Sequence, residues 1–218
     1  MTFPYTESVV TAQRAKPSCT PLESGDRLKR DEFERRYSER PDIKKAELVE
    51  GVVYVASPVR IPEHAEPHAH VVFWLGSYVA RHPECRFADN GTVRLDDENE
   101  LQPYAMLFRA KASGGQASID DDGFLEGAPE LIVEVAASSA AYDLGPKKEA
   151  YRRNGVREYV VWQILEGRID WFQLTDSDFE RVEPDATGVI ESSVFAALRL
   201  NVPAMLQGDL AAVAGSIG

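Results

Sequence analysis

Residues 129–162 read PELIVEVAASSAAYDLGPKKEAYRRNGVREYVVW. From Leu131 the run is apolar except for Glu134, the mark of a central strand covered on both faces. The spacing predicts a helix from about Asp143 to Arg153. Asp143 suits its N-cap, Pro146 its first turn, and Asn154-Gly155 its stop. "REYVVWQI" and "RIDWFQL" follow as two strands around Glu166-Gly167, a hairpin. A greasy strand, a helix and a second strand make the nucleus of a sheet with helices packed on it.

Upstream, "DRLKRDEFERRYSER" predicts a charged surface helix that stops before Pro41. "KAELVEGVVYVAS" predicts two strands with a tight turn at Glu50-Gly51. A long amphipathic helix follows, starting after Pro67 and carrying Val71, Val72, Leu75, Tyr78 and Val79. "CRFADNGTVRL" predicts a hairpin at Asp89-Asn90-Gly91. A strand at about 103–109, entered through Pro103, comes next, and 110–128 reads as a surface excursion. The fold class is α/β (α+β): a mixed sheet flanked by helices in one domain, 26–218, behind a loose arm, 1–25.

The chain has 218 residues and a net charge of −12, with 44% hydrophobic and 28% charged residues. This is an ordinary globular composition, long enough for one well-packed domain. The acidic balance argues against a high-affinity, non-specific DNA binder, because phosphates are repelled at long range. An enzyme that meets DNA over a small area is not excluded. Cys19 and Cys85 fit no metal spacing and read as free thiols of a reducing compartment. No signal peptide or membrane-length apolar run is present, so a soluble, cytoplasmic protein is expected.

Glu134 is the strongest chemical signal. An unpaired carboxylate in an apolar strand costs several kcal/mol, so it must meet a cation, protonate or bind a metal. A plain salt bridge to a core base is an equally weighted reading. Lys147, thirteen residues on, can return from the next helix toward that strand. Read bluntly, Lys147 and Lys148 are two solvated lysines. Glu47, in "AELVEG", is either a further acid of the site or a residue on the wet side of an edge strand. His64 and His68 stand four apart, a spacing that can seat zinc, but Pro67 lies between them and no second shell is evident.

These segments resemble the Uma-two family of restriction-endonuclease-like proteins. "AELVEGVVYVASP", "QPYAML" and the 128–162 run carry the resemblance, which spans about 28–200. It implies a restriction-endonuclease-like fold and a variant PD-(D/E)XK site that binds Mg²⁺ or Mn²⁺ and cleaves DNA. By position, Glu134 matches the strand carboxylate, Lys147 a lysine that has migrated to the helix, and Glu47 an early acid. Glu134 and Glu47 are then the implied metal ligands. The family's Gln-Pro-Asp is here Gln102-Pro103-Tyr104, and a neutral phenol is a poor Mg²⁺ ligand. Three functions remain open: an endonuclease impaired by Tyr104, a catalytically inactive nuclease fold acting as a binding or partner module, and a shared fold with an unrelated small-molecule role. The resemblance also implies a homodimer.

Overall fold

In a computed structural model of the chain, the described residues are 20–56, 64–176 and 178–218. Most of the expected arm and Cys19 lie outside them, as do Pro58 and Pro62, two prolines expected to break the chain between the first hairpin and the long helix. Helix α1 (Arg30–Ser38) buries Phe33 against Leu48 and Val53 of the first hairpin. That hairpin is β1 (Ala46–Val49) and β2 (Val52–Val55), paired antiparallel. Its turn residues Glu50 (φ 53°) and Gly51 (φ 69°) are both left-handed, as a two-residue hairpin turn requires. Ordered contacts begin upstream of α1: Leu22 is buried, and the Gly25 N–H donates to the Val53 carbonyl at 2.8 Å.

Helix α2 (Glu66–Val79) carries Pro67 in its first turn, where the missing N–H costs nothing. Val71, Trp74, Leu75 and Tyr78 recur at helical spacing and are buried. Strands β3 (Cys85–Asp89) and β4 (Val93–Asp96) follow, but the expected hairpin between them does not form. Asn90 (φ 51°) supplies a local turn. The pairing is set instead by burial: Cys85 joins the core under α2 and Val93 joins the opposite one. Accordingly β4 pairs with β5 (Asn99–Leu101), while β3 pairs with β6 (Ala105–Arg109). Strand β6 starts two residues later than expected, after Pro103, which has no N–H to donate to the ladder.

The 110–128 excursion is not wholly irregular. It holds a 3₁₀ turn (Lys111–Ser113) and two short strands, β7 (Ser118–Ile119) and β8 (Leu125–Glu126). Strand β9 (Leu131–Ala136) is buried at all six positions, as its apolar run predicts. The following helical segment begins earlier than expected. It runs as α3 (Ala140–Tyr142), a π-helical turn (Asp143–Lys147) and α4 (Lys148–Arg153). Asp143 is therefore not the N-cap. It is helical (φ −68°, ψ −37°), and the first turn hangs on the Ser139 carbonyl, which accepts from the N–H groups of Tyr142 and Asp143. The wider π turn accommodates Pro146, whose ring and missing N–H disrupt α-helical bonding.

Strands β10 (Glu158–Gln163) and β11 (Arg168–Leu174) form the expected hairpin, turning at Gly167 (φ 59°). Strand β12 (Phe179–Val182) continues that sheet, and β13 (Val189–Glu191) pairs with β14 (Arg199–Asn201). Helices α5 (Val202–Gln207) and α6 (Leu210–Ser216) end the chain. The main sheet runs β12-β11-β10-β9-β6-β3, and a second sheet runs β2-β1-β5-β4-β8-β7. In the main sheet β9 is parallel to β10 and antiparallel to β6.

The alternation along β9 positions the chemistry. Leu131, Val133 and Val135 face the core that holds Trp74, Leu75 and Val213. Ile132 and Ala136 face the core that holds Tyr151, Tyr159 and Phe172. Glu134 shares the second face, toward the π turn and α4.

Candidate active site

Glu134 is fully buried and Lys147 is 3% exposed. The Lys147 ammonium donates to Glu134 Oε1 at 2.9 Å and lies 3.0 Å from Glu47 Oε1 and 3.7 Å from Asp143 Oδ1. Glu134 thus meets its cation from the following helix, and Lys147 is not a solvated surface lysine. Glu47 is buried too, because β1 lies between β2 and β5 and is not an edge strand. Its Oε1 accepts from the Gln102 N–H at 2.9 Å, and its Oε2 accepts from the Tyr142 hydroxyl at 3.5 Å.

The electrostatics follow from burial and proximity. Burial pulls the Lys147 ammonium toward neutrality, but Glu134, Glu47 and Asp143 together outweigh it and hold lysine well above its ordinary value. Burial pushes the Glu47 carboxyl up, yet Lys147, Lys45 and the Gln102 N–H lower it on balance. Asp143 goes the other way. Burial and the Glu134 charge raise it to about 7. Its Oδ2 has no hydrogen-bond partner.

Tyr104 stands beside these acids. Its backbone N–H points at Glu134 Oε2 (3.4 Å), and its hydroxyl lies 3.0 Å from His64 Nδ1, not against Glu134 or Lys147. Burial and Glu134 raise the phenol to about 12, so it stays neutral. His68 Nε2 lies 2.9 Å from the Tyr104 carbonyl and 2.7 Å from Asp89 Oδ1. Both histidines are thereby drawn to Tyr104 and its neighbour strand. Among the described residues no group of three or more His, Cys, Asp or Glu could hold a metal ion, zinc included.

The structure brings Tyr104, Lys147 and Glu47 into the lining of one cleft of about 470 Å³, with Glu134 sealed behind Lys147, and adds residues the sequence reading missed. Tyr151 donates its hydroxyl to Glu134 Oε1 at 3.1 Å, and Asp143 faces Lys147. Positions 143, 147 and 151 are four apart and share one helical face, so the spacing carried that signal. Lys45 is a third addition. Its ammonium lies 5.0 Å from the centre of the Tyr104 ring and donates to the Gln102 carbonyl at 2.6 Å.

As arranged, the donor set suits an ammonium and not a divalent ion. Glu134 and Glu47 already accept hydrogen bonds on both oxygens, and the Lys147 Nζ stands between them. The third position is a neutral phenol turned toward His64. Mg²⁺ requires several hard oxygen ligands in near-octahedral geometry, which this set does not present.

The architecture is that of a nuclease-like α+β fold. A solved structure titled a putative nuclease, from Anabaena variabilis, superposes with a TM-score of 0.58 at 16% identity, covering 74% of this chain and 89% of that one. The Uma2 family model, described as "Putative restriction endonuclease", matches residues 30–203, and the chain belongs to that family. No curated protein matches the sequence. Among the described residues no helix is long and apolar enough to cross a membrane.

Proposed function

We propose that the chain engages nucleic acid at the Tyr104–Glu134–Lys147 cleft and is impaired in Mg²⁺- or Mn²⁺-dependent phosphodiester cleavage. Family membership supplies the nuclease reading. In it Glu134 and Glu47 are the acids that would face the ion, and Lys147 the group that would stabilise charge on a scissile phosphate. One observation carries the impairment: the side chain at position 104 is a neutral phenol bonded to His64, while the two remaining acids are both paired with Lys147. Metal activation of water draws on carboxylate charge, and here one of the three expected acids is absent and the other two are internally paired.

An inactive binding module is the second reading, favoured by the same Lys147 pairing. Cleavage of DNA by the native chain and by Tyr104→Asp, each with Mg²⁺ and with Mn²⁺, separates the two. Impairment predicts faster cutting by the Asp variant, abolished by Glu134→Ala. Equal cutting by both chains removes the role given to Tyr104. If neither chain cuts and neither takes up metal in calorimetry, the binding module remains. We propose further that 26–218 is one folded unit and that it pairs as a homodimer, which light scattering tests directly.

A further inference from the structure

We propose that the cleft accepts an unpaired base, stacked on Tyr142 and Tyr54, with the adjoining phosphate held outside at Lys45. The ligand is then a single strand or a frayed strand end, not an intact duplex. This rests on the nucleic-acid reading above and narrows it.

Depth is the first argument. Glu47, Asp143 and Lys147 are the buried residues of the lining, and the cleft's ~470 Å³ falls among small-molecule pockets of about 300–1,000 Å³. A duplex rides on the rim of such a cleft with its bases stacked and out of reach. Nucleobases reach deep pockets only when unpaired or turned out of the stack.

Charge is the second. Three carboxylates (Glu47, Glu134 and Asp143) surround one ammonium at the floor. Without a metal ion this disfavours a phosphate and suits a neutral base, whose amino and imino N–H groups can donate to Glu47 and Asp143 of the lining. Lys45 is the more exposed cation of the cleft lining, beside Tyr104 and 3.5 Å from Asn90 Oδ1. A phosphate at Lys45 with its base directed inward satisfies both ends.

The walls are the third. The Tyr54 and Tyr142 rings pack on each other, 4.2 Å apart centre to centre and tilted by 35°, and make one half-buried aromatic wall of the cleft. Aromatic faces joined to a nearby cation are the working parts of single-strand binding sites, where one stacked base contributes ~1–3 kcal/mol.

Fluorescence anisotropy with a labelled single-stranded DNA and its blunt duplex, in EDTA, tests the proposal. The single strand should bind about thirtyfold tighter, the middle of that stacking range. Tyr54→Leu, which keeps an apolar side chain on β2, should remove most of the preference, and Tyr54→Trp should retain it. Lys45→Met should weaken the single strand and lower its salt dependence by about one phosphate contact. Should Tyr54→Leu fail to fold by circular dichroism, Tyr54→Trp and Lys45→Met still decide the matter. Equal or tighter duplex binding, or a full preference in Tyr54→Leu or Lys45→Met, overturns the base-in-cleft proposal and leaves the nucleic-acid reading standing. Binding of neither DNA overturns both.

Discussion

The Lys147 ammonium lies 2.9 Å from Glu134 Oε1, and both groups are sealed from solvent. Removing one partner of a buried ion pair leaves the other charge uncompensated, at a cost of ~3–5 kcal/mol. Here the loss strands Glu134 and Glu47 together. Lys147→Met is therefore expected to lower the urea midpoint strongly with little change in m-value. Lys147→Met as stable as the native chain would show that the pair contributes nothing net.

Tyr151 reaches the same Glu134 oxygen at 3.1 Å from one helical turn further on. A hydrogen bond to a charged acceptor contributes roughly 1.5–3 kcal/mol, and the ring of Tyr151 packs among Ala150, Val156 and Tyr159 regardless of its hydroxyl. Tyr151→Phe should thus cost stability by about that amount without a packing defect. Its effect should shrink in the Lys147→Met background if the two donors share one carboxylate, and a double-mutant cycle in urea measures the coupling.

Tyr104 can be tested by stability as well as by cleavage. Tyr104→Phe loses only the hydroxyl contact with His64, so a loss of about 1 kcal/mol is expected. Tyr104→Asp places another carboxylate beside Glu134 and should destabilise the metal-free chain. Mg²⁺ or Mn²⁺ should then raise the melting temperature of the Asp variant and leave the native chain unmoved, by the linkage of binding to folding. A native chain that gains as much from metal as Tyr104→Asp would contradict the fit argued for this site.

Much of this site was legible in residue order, and the reasons differ by residue. Glu134 stood out because a charge in an apolar strand has few tolerable environments. Lys147 followed from the short reach between a strand and the helix packed on it. Asp143 was misread because Asp is a common N-cap and the π turn at Pro146, which pulls the helix start back to Ala140, leaves no strong local pattern. The β3–β4 hairpin was misread for a related reason. Asn90-Gly91 specifies a turn, whereas the partners of Cys85 and Val93 are set by two cores built from distant segments. His64 and Tyr104 are forty residues apart, and nothing local announces their contact.

Glu100 offers a test of pH dependence away from the cleft. It is buried on β5, with Arg94 Nε 3.5 Å from its Oε2 and the Glu34 carboxyl close by. Burial, and then Glu34, raise the Glu100 carboxyl to about 8. The folded state therefore holds a proton that the unfolded chain releases near 4.5. Between those values the native state binds more protons, so stability falls as pH rises from about 4.5 to about 8. Below that window Glu100 is neutral in both states and imposes no penalty. Glu100→Gln fixes the neutral form and should flatten this part of the curve, gaining most relative to the native chain near pH 8. Urea titrations of both chains at pH 5 and pH 8 measure the difference. A native stability that rises across the window, with Glu100→Gln following in parallel, would mean that Arg94 holds the Glu100 carboxylate ionised.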